Sequence, residues 1–288
     1  VAGCARSIVR FLRHRHAALS HRWFAPARHA TTALMNLTLL MNQAGGLRYH
    51  LRALRFKNHE WQPFRWVVGE WLLGWQPPES TLVVVGPSAG YCLQPFFFER
   101  FARVICLEPD PVARFLFKRQ LRRAPLDRQP QLEFIEADHL ISRPERLPKL
   151  LADTPDCALL FTNVLGQLRA LLGVDDEKAE AFQRVKEAIH RSIRGRSWAS
   201  FHDRVSGYII PTANDPITSD TQLSNDEIVE ELYDGKERRI DPRHCELVDH
   251  LTLGLLPSNR PHSYFTWEIE PGRFHIIEAV AEAVRRVP

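Results

Sequence analysis

No acidic residue precedes Glu60 in a chain of 288 residues. The first 59 positions hold ten Arg or Lys and six His, whereas the remainder carries 28 basic residues against 34 acidic ones. This asymmetry implies that the N-terminal region lies on an acidic surface of the same or a neighbouring molecule, or serves as an arm for an acidic partner. RNA and anionic lipid are further options. Basic and aromatic residues do not alternate as in nucleic-acid modules, so nucleic acid is not favoured. Long hydrophobic runs are also missing. None approaches the roughly 20 residues of a membrane span, so no transmembrane segment is expected. Cysteine is sparse and scattered, at Cys4, Cys92, Cys106, Cys157 and Cys245, with no C-x-x-C pair. That excludes a disulfide scaffold and fits reduced thiols in a cytoplasmic protein. No metal-ligand spacing occurs. His14, His16 and His21 stand among arginines, which repel a cation, and no metal is expected. Internal repeats and low-complexity tracts are absent.

What is present divides into two parts. Residues 1–60 read as a basic helical region, with apolar residues at Leu47, Leu51, Leu54 and Phe56. Residues 61–288 read as one α/β domain. Phe64, Val67, Val68, Trp71, Leu72 and Trp75 form one broad helix face, ended by Pro77-Pro78. From residue 81 apolar strands alternate with helices: TLVVVG, RVICLEPD, QLEFIEAD, DCALLFTNVLG and SWASFHD are the strands. Continuous apolar runs of this kind belong in a buried parallel sheet with helices on both faces. YCLQPFFFERFA reads as a helix, and Asp110 with Pro111 as the start of another. Residues 204–262 are polar and too long for a plain connection, so they read as a lid or insertion. Within it Ser224 and Glu227 form a capping box. A hairpin turning at Pro271-Gly272 closes the sheet.

The turn after the first strand, GPSAGYC, admits three templates. Gly86, Ser88 and Gly90 match the nucleophile elbow G-x-S-x-G of serine hydrolases, with Asp203 and His262 or His275 downstream as its partners. No strands precede residue 81, however, as an elbow requires. The dinucleotide fingerprint G-x-G-x-x-G fails at Ser88 and Tyr91. Thirdly, the turn resembles the G-x-G-x-G loop of class I S-adenosylmethionine-dependent methyltransferases, with Ser88 replacing the middle glycine. The resemblance extends over roughly residues 60–203 and 263–282 in the order of elements. It implies a Rossmann-like methyltransferase fold: a mostly parallel seven-stranded sheet, a closing antiparallel hairpin and an N-terminal helical region. It further implies that Glu108, ending the second strand, takes the ribose hydroxyls of S-adenosylmethionine. Asp138 falls near the adenine amino group, and Asn163 lines the methionine end. Glycines allow backbone to approach a cofactor closely, and a carboxylate accepts two hydroxyl protons.

One departure matters. The acid that the family carries two residues before the first glycine is Val84 here. Two function classes follow. The first is a methyltransferase acting on a small-molecule or protein acceptor, with His202 as general base and Asp203 beside it at the carboxyl end of the fifth strand. The second is a catalytically inactive relative that serves as a binding or scaffold partner.

Overall fold

The computed structural model describes residues 46–136, 140–172, 176–213, 215–233, 240 and 246–284. Two helices come first, α1 (Gly46–Phe56) and α2 (Gln62–Gly74). Pro63 sits in the first turn of α2, where its missing N–H costs nothing. The buried edge of α2, Phe64, Val68 and Leu72, packs into the core. The boundary expected near residue 60 falls between these helices, and both contact the same late strand of the sheet.

Strand β1 (Thr81–Val85) is flanked by β2 (Arg103–Leu107) and β4 (Cys157–Thr162). Beyond β2 lies β3 (Gln131–Ile135), and beyond β4 lies β5 (Trp198–Gly207), all parallel. Their crossovers include α3 (Pro111–Arg123), α4 (Arg146–Ala152) and α6 (Asp176–Ile193), the last preceded by the short α5 (Leu168–Leu172). Asp110 caps α3, its carboxylate accepting the Val112 N–H at 2.8 Å. The segment expected as a helix after the glycine turn holds only a 3₁₀ helix at Pro95–Arg100. Pro95 lies within it and supplies no N–H to a longer ladder.

The hairpin of β8 (His262–Glu270) and β9 (Arg273–Glu282) enters beside β5 with β9 antiparallel to it. The order is β3-β2-β1-β4-β5-β9-β8, with one further short strand beyond β8. This is the expected Rossmann-like methyltransferase fold, with two short strands more than the seven read from sequence. Both come from the insertion: β6 (Ile217–Ser219) pairs with β8, and β7 (Leu247–Asp249) pairs with β5. The insertion also holds α7 (Asn225–Tyr233), started by the capping box: Glu227 N–H donates to Ser224 Oγ at 3.3 Å, and Ser224 N–H donates to the Glu227 carboxylate at 2.7 Å. Its apolar face, Ile228, Val229, Leu232 and Tyr233, makes a small core with Val205, Tyr264 and Ile276.

Two larger cores lie one on each face of the sheet, as alternate residues of each strand require: Val84 joins one and Val83 the other. Among the described residues no helix is long and apolar enough to cross a membrane.

Candidate functional site

The sheet order reverses between β1 and β4, and crevices for ligands form outside the carboxyl ends of strands at such a point. Gly86 follows β1 and Asn163 follows β4 there. Gly86 has φ of +67° and Ser88 of +49°. A Cβ on Gly86 would stand 2.9 Å from Cβ of Val164, so the turn lies directly against the end of β4. Gly90, also at positive φ, closes the turn.

Glu108 leaves the end of β2 and folds back on that turn. Its Oε2 accepts the Ser88 N–H at 2.8 Å, and its Oε1 accepts the Asp110 N–H at 3.0 Å. Only 6% of the residue is exposed. Burial pushes its pKa up to about 7, against the pull of those two N–H groups. Each oxygen keeps a lone pair after accepting one N–H, so the carboxylate can still take two hydroxyl protons. Helix α1 reaches the same place. His50 bonds the Tyr91 hydroxyl at 3.1 Å through Nδ1 and the Asp110 carboxylate at 3.0 Å through Nε2. Val84 is fully buried in the apolar core. Asp138 lies outside the described residues.

Beside the turn, at the ends of β4 and β5, opens a cavity of about 590 Å³. Asn163, Asp203, His250 and His275 line it. Asn163 has φ of +56°, a conformation asparagine tolerates better than most residues. Its Nδ2 donates to Oδ2 of Asp203 at 3.1 Å, and its Oδ1 accepts the Asp203 N–H at 2.8 Å. Oδ1 of Asp203 lies 2.9 Å from Nδ1 of His275, on β9. Burial alone would raise the Asp203 pKa, but His275, His250 and Asn163 hold it down at about 2. Asp203 is therefore an anion that holds the ring of His275. With a proton on Nδ1, His275 has its lone pair on Nε2, which is buried and meets no hydrogen-bond partner among the described residues.

His202 stands elsewhere. Successive residues of a strand point to opposite faces, and the turn that brings Asp203 into the cavity takes His202 away from it. His202 is fully buried, its Nδ1 is 3.0 Å from Ser200 Oγ, and burial drives its pKa down to about 4. Around it are Arg204, Glu278 and His262: Glu278 pairs with His262 at 2.9 Å and with Arg204 at 3.4 Å. Of the residues expected at the site, Gly86, Ser88, Gly90 and Glu108 meet at the turn, and Asn163 and Asp203 meet in the cavity. The elbow's residues are split, since Asp203 and His275 line the cavity and Ser88 does not.

In the sequence His275 enters only as a partner of the serine-hydrolase template, and His250 only as an unranked residue of the insertion. His275 lies on β9, His250 directly follows β7, and neither shares a spacing with Asp203. The three offer donor atoms within 4.8 Å of one another, a set that a divalent cation accepts in principle. Here those atoms have other bonds: His250 contacts the Gly166 carbonyl at 2.8 Å and Ser206 Oγ at 2.9 Å, while Asp203 holds Asn163 and His275.

No protein-family model and no curated protein matches the chain. Solved structures do. The N-methyltransferase NodS from Bradyrhizobium japonicum WM9, in complex with S-adenosyl-L-homocysteine, is 10% identical over 87% of this chain and 98% of its own, with a TM-score of 0.41. Magnesium protoporphyrin IX methyltransferase (ChlM) from Synechocystis PCC 6803, with bound S-adenosylmethionine, is 13% identical over 87% and 91%, with a TM-score of 0.36. A methyltransferase from Anabaena variabilis ATCC 29413 is 11% identical over 78% and 86%, with a TM-score of 0.39. Likeness at this level says nothing of substrate or chemistry.

Proposed function

We propose that the protein is an S-adenosylmethionine-dependent methyltransferase whose acceptor, a small molecule or a protein side chain, enters the cavity at the ends of β4 and β5. The observation that carries this reading is Glu108: a buried carboxylate anchored on the glycine turn, with one lone pair per oxygen left for a pair of vicinal hydroxyls. These groups fit a ribose. In this reading Gly86, Ser88, Gly90 and Glu108 hold the cofactor, with Asp138 and Asn163 completing its site. The cofactor supplies a methyl group on a sulfonium centre.

The chain's own work is to hold the acceptor and take its proton. Methyl transfer to oxygen or nitrogen leaves a proton to remove, and His275, a cavity-lining residue whose Nε2 has no hydrogen-bond partner among the described residues, is the group assigned to take it. Asp203 fixes the tautomer and stabilises the imidazolium that forms. Asn163 fixes Asp203 in turn. Of the adjacent pair expected from sequence, Asp203 keeps a role and His202 has none.

Calorimetric titration with S-adenosylmethionine and S-adenosylhomocysteine tests the reading. Micromolar binding that Glu108→Ala abolishes, with the fold intact by circular dichroism, is the expected result. Unchanged affinity in Glu108→Ala overturns the site assignment. Val84 supports one other reading, a binding protein on the same fold, because the family's acid is replaced by core. Absence of binding to either nucleoside would favour it.

A further inference from the structure

Two buried polar atoms on residues lining the cavity have no hydrogen-bond partner among the described residues: Nε2 of His275 and Nε1 of Trp267. The two residues face each other across the β8–β9 ladder, with ring centroids 5.8 Å apart. The gap at Trp267 is local. Trp61, Trp75 and Trp198 each donate their indole N–H to an oxygen, at 2.9, 3.1 and 3.2 Å. Trp267 is held rigidly, stacked on Phe64 at 4.7 Å and edge-on to Trp61 at 5.0 Å. Buried donors and acceptors are nearly always satisfied, so an unpaired donor and an unpaired acceptor on neighbouring rings of two cavity-lining residues mark where a ligand group would serve both. A hydroxyl does: it accepts from the indole and donates to the imidazole. An ammonium has no lone pair for the indole, and an ether or carbonyl has no proton for the imidazole.

The solvent-reaching part of the same cavity has excess positive charge. Arg48, Arg52, Arg273 and Glu270 line it. Glu270 faces Arg52 at 3.5 Å and Arg273 at 3.2 Å, so one carboxylate serves two guanidiniums. No ion pair among the described residues engages Arg48. Asp203, the other lining carboxylate, is committed to Asn163 and His275.

We propose that the cavity takes an anionic alcohol or phenol, its carboxylate or phosphate on Arg48 and Arg273 and its hydroxyl between Trp267 and His275. The inference rests on the reading above, in which this cavity is the acceptor's site, and it makes the acceptor atom an oxygen. The volume suits a small molecule.

Titration of the full chain with 4-hydroxybenzoate, 4-hydroxyphenyl phosphate, 4-hydroxybenzamide and benzoate tests it. One of the two phenolic anions is expected to bind about tenfold tighter than the neutral amide, and which one it is identifies the headgroup. Arg48→Gln and Arg273→Gln are each expected to weaken that anion about five- to tenfold. Trp267→Phe keeps the ring on Phe64 and removes only the N–H. It should weaken the phenolic anion about fivefold and leave benzoate unchanged. The proposal is overturned if neither anion binds at about 10 mM, if the amide binds as well as the anions, or if both arginine variants bind the anion normally. S-Adenosylhomocysteine is titrated into the same samples. Its binding without anion preference sinks this inference alone. Anion preference without its binding sinks the cofactor reading and leaves the ligand class standing.

Discussion

Asn163 and Asp203 bind each other through two hydrogen bonds that run in opposite directions, one from side chain to carboxylate and one from backbone N–H to side-chain carbonyl. The pair ties the end of β4 to β5 at the point where the cavity opens, and it fixes the carboxylate that holds His275. Asn163→Ala removes both bonds and leaves a residue at φ of +56° without the local polar side chain that favours it. A loss of about 2–4 kcal/mol in urea unfolding is expected. Asn163→Asp places a second carboxylate against Asp203, so at pH 7 it should be less stable than Asn163→Ala. An Asn163→Asp variant as stable as wild type at pH 7 would count against the pairing.

In the proposed cofactor site Glu108 would link binding to protons. Burial raises its pKa in the free protein to about 7, opposed by the two N–H bonds, with smaller electrostatic contributions from Asp110 and His50. Donors from a ribose favour the carboxylate form and draw that value down. Binding near pH 6.5 therefore releases a proton, and affinity falls as pH drops below 7. Titration of S-adenosylhomocysteine in phosphate and in Tris buffer at pH 6.5 reads the release as a difference in apparent enthalpy. Equal enthalpies in the two buffers would refute the linkage.

The same group has the opposite effect on the free fold. A carboxyl whose folded pKa exceeds its unfolded value contributes fully below the unfolded value and loses that contribution as pH rises through the folded one. From 4.5 to about 7 the shift amounts to about 3 kcal/mol. The ionised carboxylate is thus a cost to the free protein at pH 8 that a diol bound as proposed would offset, a common arrangement where a site is built for a ligand.

His202 should govern acid stability and leave ligand binding alone. Its folded pKa of about 4, below the ordinary histidine value of 6.5, means that the unfolded chain takes up a proton between those values and the folded chain does not. Stability from this group is complete above pH 6.5 and is lost as pH falls toward 4, by about 3 kcal/mol. His202→Asn retains a polar atom for Ser200 but does not titrate. The gap in unfolding free energy between pH 7 and pH 4.5 should shrink by about 2–3 kcal/mol relative to wild type, with binding of S-adenosylhomocysteine unchanged. An undiminished gap would place the acid sensitivity elsewhere.

The turn was legible in the sequence because its parts are close in the chain. A short apolar strand, a turn with two glycines and an acid ending the next strand are local signals, and they led to Gly86, Ser88, Gly90 and Glu108. The cavity was legible only in part. Asp203 and His275 are separated by 72 positions, and the pairing depends on the β5–β9 register, which shifts between Asp203 and Val205. No periodicity encodes such a shift. His202 and Asp203 are adjacent in the sequence but separate in the fold. In a strand, neighbours face opposite ways, so His202 and Asp203 could not share one pocket. Trp267 reads as core by composition and is core by burial. Its unpaired N–H becomes visible only when the other buried tryptophans are seen to donate.

Gly86 and Val164 make a steric test of the crevice. Alanine at 86 would carry φ of +67° and set its Cβ 2.9 Å from Cβ of Val164, closer than real Cβ atoms stand. The strained φ costs about 1–2 kcal/mol, and the contact must push β1's turn away from the end of β4. Gly86→Ala is therefore expected to lose about 2–4 kcal/mol and to weaken nucleoside binding even though no side chain is removed. The two contributions separate in a double-mutant cycle. Val164→Ala keeps the offending Cβ and should rescue little. Val164→Gly removes it, so the double variant Gly86→Ala with Val164→Gly should lose less than the sum of the singles by about 1–2 kcal/mol. Strict additivity would mean that the turn does not rest on Val164, and the approach of β1 to β4 at the switch point would need another explanation.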